Sequence, residues 1–224
     1  GEPQPAVPAA TVILLRDGPT GLETLMLRRA SKLAFAGGLW VFPGGRVDDA
    51  DRAGLDADDS HGAARRAAVR EAAEEADLEV DVDGLVTLAH WEPPPQTPKR
   101  FATWFFLAAA PSGAVTVDGG EITEHTWARP ADVIERRDAG EIELAPPTWV
   151  TLHGLRPHAD TAAALAAARS ATPEHFTTRA ALTGDGGVVA MWHGDAGYES
   201  GEADAPGRRH RLWMVDSGWR YERD

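Results

Sequence analysis

The segment that most constrains this chain is residues 63–76, AARRAAVREAAEEA. Alanine is the strongest helix former, so the run reads as one helix, with Ser60 placed to cap its start. A helix advances about 100° per residue, which gathers Glu71, Glu74 and Glu75 within an arc of roughly 100° on one flank. Arg70 stands at the edge of that arc, one turn ahead of Glu74, where the two can pair. Val69, Ala72, Ala73 and Ala76 fall on the opposite side, where short side chains let a helix lie close against a sheet. Carboxylates this crowded repel one another and raise one another's pKa unless a cation meets them. Hard, oxygen-seeking Mg²⁺ or Mn²⁺ would relieve that repulsion. Taken alone, the segment also reads as a solvated face carrying Glu–Arg pairs. The preceding Pro43-Gly44-Gly45 shifts the balance toward a ligand. It reads as a glycine turn that adopts conformations closed to other residues, brings backbone close to a ligand, and aims a carbonyl at a metal or amides at phosphate.

Strands are expected over residues 10–16, 22–27, 39–42, 82–90, 100–109 and 121–127, and helices over 130–137 and 147–156. The texture changes afterwards: an alanine-rich helix over 161–171, short strands over 187–192, 211–215 and 219–222, and a mobile loop over 194–207. Strands and helices alternate without a strict βαβ rhythm, which predicts α/β (α+β) architecture with a mixed sheet between helices. Residues 1–9, rich in proline and without a signal-peptide pattern, are expected to be flexible, and residues 10–156 to form the main domain. Residues 157–224 form a C-terminal extension, packed on that domain or on the partner in a homodimer.

Composition excludes several functions. The 224-residue chain is 43% hydrophobic and 25% charged, the balance of a soluble globular protein, and its longest apolar run, near residues 102–110, is too short to cross a membrane. It has no cysteine, which rules out disulfides, thiolate zinc sites and cysteine nucleophiles and fits a reducing, cytoplasmic setting. A net charge of −13 lacks the basic footprint of a nucleic-acid binder, so a chain like this handles phosphate through a divalent cation. The one basic cluster, Arg208-Arg209-His210-Arg211, reads as an offset to the acidic surface.

Gly45, Asp51 and the run Arg70-Glu71-Ala72-Ala73-Glu74-Glu75-Ala76-Asp77-Leu78 resemble the Nudix box, G-x5-E-x7-R-E-U-x-E-E-x-G-U, where U is aliphatic. The R-E-U-x-E-E part matches throughout, with Ala72 as the aliphatic position. Asp51 stands where the family has Glu, and Asp77 where it has Gly. Eighteen residues instead of seven separate Asp51 from Arg70, an insertion of eleven, which leaves Asp48 as an alternative to Asp51 in its supporting role. The resemblance implies an α/β/α sandwich and hydrolysis of a nucleoside diphosphate linked to another moiety, a small-molecule substrate. Gly45, Glu71, Glu74 and Glu75 would hold one to three Mg²⁺ or Mn²⁺ ions. Arg70 would orient a glutamate, and Glu71 would act as general base, with Glu74 and Glu124 as rivals. Glu124 comes from Glu121-Ile-Thr-Glu124-His-Thr-Trp127, which resembles the family's E-x-x-E-x-x-W region.

Residues 27–48 and the stretch from His90-Trp91 to Arg100-Phe101 resemble the coenzyme A diphosphatase and peroxisomal-type branch, in which an interrupted box also occurs. That implies coenzyme A or acyl-CoA as substrate, with ADP-ribose, nucleotide sugars, dinucleoside polyphosphates and a non-catalytic nucleotide sensor as alternatives. Arg28, Arg29 and Arg100 are candidate phosphate contacts. Gly44 would offer its amide. Trp91, with Trp40, Trp104 and Phe101, would be available to stack on a base, although core packing suits most of these aromatics.

Overall fold

A computed structural model describes Glu2 and residues 4–224. Gly1 and Pro3, within the stretch expected to be flexible, lie outside the described residues. The chain forms two compact units, a larger one of residues 8–90 and 103–174 and a smaller one of residues 1–7, 91–102 and 175–224.

In the larger unit, β1 (Val7–Gly18) and β2 (Gly21–Arg29) form an antiparallel hairpin that pairs Leu15 with Thr24 and Gly18 with Gly21. β3 (Trp40–Val41) pairs with β2, and β4 (Gly44–Arg46) pairs with β1, both antiparallel. The Pro-Gly-Gly segment is therefore not a free turn, because both its glycines lie in a strand. Helix α1 (Ser60–Ala76) follows, then β5 (Val86–Glu92), β6 (Phe101–Ala109) and β7 (Ile122–Ala128), then α2 (Pro130–Asp138), α3 (Pro146–Leu155) and α4 (Thr161–Ser170). The strand order runs β3-β2-β1-β6-β5, with β7 also pairing β2. Val7 N donates to Arg100 O and Ala110 N to Leu15 O, so β1 and β6 run parallel and the sheet is mixed.

Alternation along the strands builds two cores. Ala10, Val12, Leu14, Leu25, Leu27 and Phe106 bury one face under Ala64, Ala67, Ala68, Ala72 and Ala76 of α1. Ile13, Leu15, Met26 and Leu107 of the opposite face are equally buried, and α2 and α3 bury Val133, Ile134, Trp149 and Leu152. Ala73 does not join the packed stripe but faces solvent. The N-cap of α1 is Asp59, whose carboxylate accepts from Gly62 N at 2.8 Å, one residue before the expected Ser60. At the other end Asp77 takes the left-handed conformation (φ 56°), and its amide and that of Leu78 return to Ala73 O and Ala72 O.

The smaller unit holds most of β8 (Glu174–Thr177) and a four-stranded antiparallel sheet. That sheet comprises β9 (Arg179–Leu182), β10 (Val188–Met191), β11 (His210–Met214) and β12 (Arg220–Arg223), in the order β12-β11-β10-β9. Neither β8 nor β9 has a strong strand pattern in the sequence. At its centre Arg211 and Asp195 form a fully buried bidentate pair at 2.8 and 2.7 Å. Arg211 thus belongs to the interior, not to a basic surface cluster. The loop over 194–207 is held at several points. Arg179 donates to the carbonyls of Tyr198 and Glu199, Arg211 to that of Ala203, and Arg209 to that of Ala205.

Burial would push the Asp195 carboxyl up, but Arg211 and the amides of His210 and Gly197 hold it down to about 2, from an ordinary 3.8. A carboxylate with a lowered folded pKa stabilises the fold above its unfolded pKa and loses that contribution as pH falls through the folded one. Between pH 5 and pH 2 this pair should therefore account for about 2 kcal/mol of lost unfolding free energy. Urea titrations followed by tryptophan fluorescence check this, since the Asp195→Leu/Arg211→Met double variant should lack that component. Asp77→Gly should raise stability by about 0.5–1 kcal/mol by removing the cost of a left-handed side-chain residue, measurable as a higher urea midpoint.

Candidate active site

The site lies where α1 crosses β4. Ala10 pairs with Gly45 and Thr11 with Gly44, which lays the glycine strand along β1 with α1 close above it. A Cβ on Gly44 would stand 2.4 Å from Ala10 O, and one on Gly45 would stand 2.5 Å from Glu71 Oε1. Neither residue has a positive φ, so the case for glycine here is one of space: fixed backbone at Gly44, and the Glu71 carboxylate, which would have to move, at Gly45.

That close approach sorts the three glutamates into different environments. Glu75 is buried at 3% exposure, and its Oε1 accepts the Gly44 amide at 2.8 Å. Burial drives its pKa up to about 8, against the pull of the Gly44 amide and with a push from the Glu71 charge. Glu71 is half-buried, and burial also raises its pKa despite the hydrogen bond from Arg70. Glu74 is exposed and pairs with Arg70 Nη1 at 3.2 Å.

Arg70 ties these groups to the loop ahead of the helix. Its Nη1 also donates to Glu71 Oε1 at 2.9 Å, Nη2 to Arg46 O at 2.9 Å, and Nε and Nη2 to the two oxygens of Asp51 at 3.2 and 2.9 Å. The Asp51 bond, ahead of the cost of burial, holds the guanidinium firmly protonated. Asp51 is itself 5% exposed and accepts the Asp48 amide at 2.8 Å. Although burial opposes it, Arg70 and that amide lower the Asp51 pKa. Eighteen residues separate Asp51 from Arg70, and the two are nevertheless paired. Asp48 sits 3.4 Å from Arg70 with its side chain 60% exposed, and it is Asp51 that makes the paired contact.

The other expected site residues divide. Arg28 is opposite Glu124 across β2 and β7, and Arg28 Nη1 donates to Glu124 Oε2 at 2.9 Å, so each is committed to the other at an exposed edge. Arg29 donates from Nε to Phe35 O at 3.3 Å, and its charge pulls against the rise in the Glu75 pKa. Glu121, one residue before β7, is the acidic group of that region whose charge raises the pKa of both Glu71 and Glu75. Its place is set by its carbonyl, which accepts Ala30 N at 2.7 Å. The E-x-x-E spacing offers two glutamates, and only strand register separates them.

Trp91 and Arg100 belong to the smaller unit. Trp91 is 4% exposed and its ring stacks on that of Phe176, with centroids 3.9 Å apart, as core packing would have it. Arg100 directs Nη1 and Nη2 to the carbonyls of Gln4 and Pro93. Trp40 is buried, and Trp104 packs edge-on against His61 and His90.

Among the described residues, no three Asp, Glu or His side chains are already gathered as a metal site. The donor chemistry nonetheless fits a hard cation. Glu71 and Glu75 are oxygen donors with raised pKa values, packed beside a glycine strand where a Cβ at residue 45 would meet the Glu71 carboxylate. A cation would offset the cost of keeping both ionised.

Residues 5–148 match the model of the NUDIX domain family. No curated protein matches the chain significantly. Among solved structures, the fold is similar to a Nudix hydrolase from Alicyclobacillus acidocaldarius, with 24% identity over 73% of this chain and 96% of that chain and a TM-score of 0.66. It is also similar to the Nudix domain of Shewanella oneidensis NrtR complexed with ADP-ribose, with 17% identity over 69% of this chain and 88% of that chain and a TM-score of 0.53. A MutT Nudix hydrolase from Burkholderia pseudomallei shares 21% identity over 67% of this chain and 98% of that chain, with a TM-score of 0.50. With a family match spanning most of its length and a fold shared with these structures, the chain belongs to the Nudix family of hydrolases.

Proposed function

We propose that this chain is a pyrophosphohydrolase dependent on Mg²⁺ or Mn²⁺. Its substrate is a nucleoside diphosphate joined to a second moiety, and its box is interrupted between Asp51 and Arg70. The observation that carries this reading is the pair of desolvated carboxylates, Glu71 and Glu75, set against the Gly44–Gly45 strand and flanked by Arg70. Gly45 O, Glu71 and Glu75, with the exposed Glu74, are the groups that would hold the ions. A bound divalent ion supplies charge neutralisation at the phosphoryl oxygens and a lower pKa for water.

Arg70 keeps the Glu71 carboxylate oriented by a charge-assisted hydrogen bond. Glu71, its pKa raised by burial, is suited to accept the proton of the attacking water as the bridging P–O bond breaks and two phosphate monoesters form. Glu121 adds negative charge that keeps Glu71 and Glu75 basic. Arg29, whose charge is felt at Glu75, is the better placed of the two neighbouring arginines for a substrate phosphate, because Arg28 is neutralised by Glu124.

Two substrate classes have separate support. Coenzyme A or an acyl-CoA is favoured by the resemblance of residues 27–48 to the coenzyme A diphosphatase branch. ADP-ribose is favoured by the shared fold of the NrtR Nudix domain, which was solved with that ligand. Release of phosphate monoesters from coenzyme A, ADP-ribose, NADH and diadenosine polyphosphates, with Mg²⁺ and with excess EDTA, should show hydrolysis of at least one that EDTA abolishes. Turnover undiminished by EDTA would overturn the metal assignment. Glu75→Gln keeps an oxygen to accept the Gly44 amide while removing the charge, so it should stay folded by circular dichroism and lose at least about a hundredfold in kcat.

A further inference from the structure

The eighteen residues between Asp51 and Arg70 raise a problem that the hydrogen bonds of Arg66 answer. A long loop leaves its ends free to separate, and the entropy of closing it has to be met by specific contacts. After the short 3-10 turn Asp49–Arg52 the chain bends through Gly54 (φ 75°) and reaches the N-cap Asp59 of α1. Asp51, at the start of this detour, is nevertheless buried against Arg70.

Arg66 stands one helical turn before Arg70, on the same side of α1. Its Nη1 donates to the backbone carbonyl of Ala53 at 2.5 Å and to that of Asp51 at 3.3 Å. Asp51 is therefore gripped twice from one helix, by its main chain through Arg66 and by its side chain through Arg70. Among the described residues, the hydrogen-bond partners of Arg66 are the carbonyls of Asp51 and Ala53, not the carboxylates of the cluster.

We propose that Arg66 is a positioning residue for the reaction. It clamps the inserted loop to α1 so that Asp51 stays engaged with Arg70, which in turn orients Glu71. The proposal rests on the pyrophosphohydrolase reading for its kinetic arm, and on the metal-free protein alone for its exchange arm. Without the clamp, Asp51 leaves its contact part of the time and Arg70 turns toward Glu71 and Glu74. Displacements on that scale, away from the reacting atoms, lower kcat more than they raise KM.

The experiment combines amide hydrogen exchange of the metal-free protein with a double-mutant cycle. In Arg66→Ala, exchange at the amides of Asp51, Ala53 and Leu55, which bond within this turn, should speed up by at least about tenfold while the amides of β1 and β2 stay as in the wild type. In the kinetic arm, Arg66→Ala and Asp51→Asn should each lower kcat with KM little changed. The double variant should be no worse than Asp51→Asn alone, because both act through one contact. Arg66→Lys, which keeps a donor, should recover part of the loss and serves as the readout if the alanine variant does not fold. Unchanged exchange at the turn, or kinetic losses that add in full, would overturn the proposal. A failure to find any substrate would overturn the functional reading while leaving the exchange result to decide the clamp.

Discussion

One guanidinium organises the site. Arg70 has five N–H groups, and the structure uses them on a buried aspartate, two glutamates and the carbonyl of Arg46. Without it Glu71 would be a half-buried acid with a second buried acid next to it, and both would be pushed toward the neutral state. With it, Glu71 keeps a charged partner, while at Glu75 burial outweighs the Gly44 amide and the Arg29 charge and drives the pKa up to about 8. Burial raises the pKa of both carboxylates, and the opposing pull comes from Arg70 at Glu71 and from the Gly44 amide at Glu75.

The fold serves that arrangement by bringing backbone unusually close to backbone. The buried side of α1 is alanine, which lowers the helix onto the sheet. β4 contributes glycines, which leave space for carboxylates where side chains would otherwise project. A larger residue at Ala68 or Ala72, both fully buried, would lift the helix and separate Glu75 from the Gly44 amide. The apolar packing and the polar site are therefore two sides of one helix position.

Much of this was legible in the residues. The alanine run announced α1, and the spacing of Arg70, Glu71, Glu74 and Glu75 announced a carboxylate flank. Arg70 reaches back to Asp51 across eighteen intervening residues, a contact that chain spacing alone does not convey. What the residues could not convey was pairing. Pro-Gly-Gly reads as a turn because glycine and proline disfavour strands, yet β1 supplies the ladder that makes residues 44–46 a strand. Glu121 and Glu124 are equivalent by spacing, and only the register of β7 on β2 gives Glu124 to Arg28. Trp91 sits in a proline-rich, loop-like context, and its burial depends on Phe176 and Trp192, roughly a hundred residues away in sequence, which no local pattern encodes.

The absence of a side chain at residue 45 has a consequence for how this molecule tolerates change. The volume a methyl group would fill there is already taken by the Glu71 carboxylate. A change to alanine at that position would remove no functional group and strain no dihedral, yet it would evict an acid from its seat. In a mutational survey this glycine would score like a catalytic residue for a reason that is wholly one of occupied space.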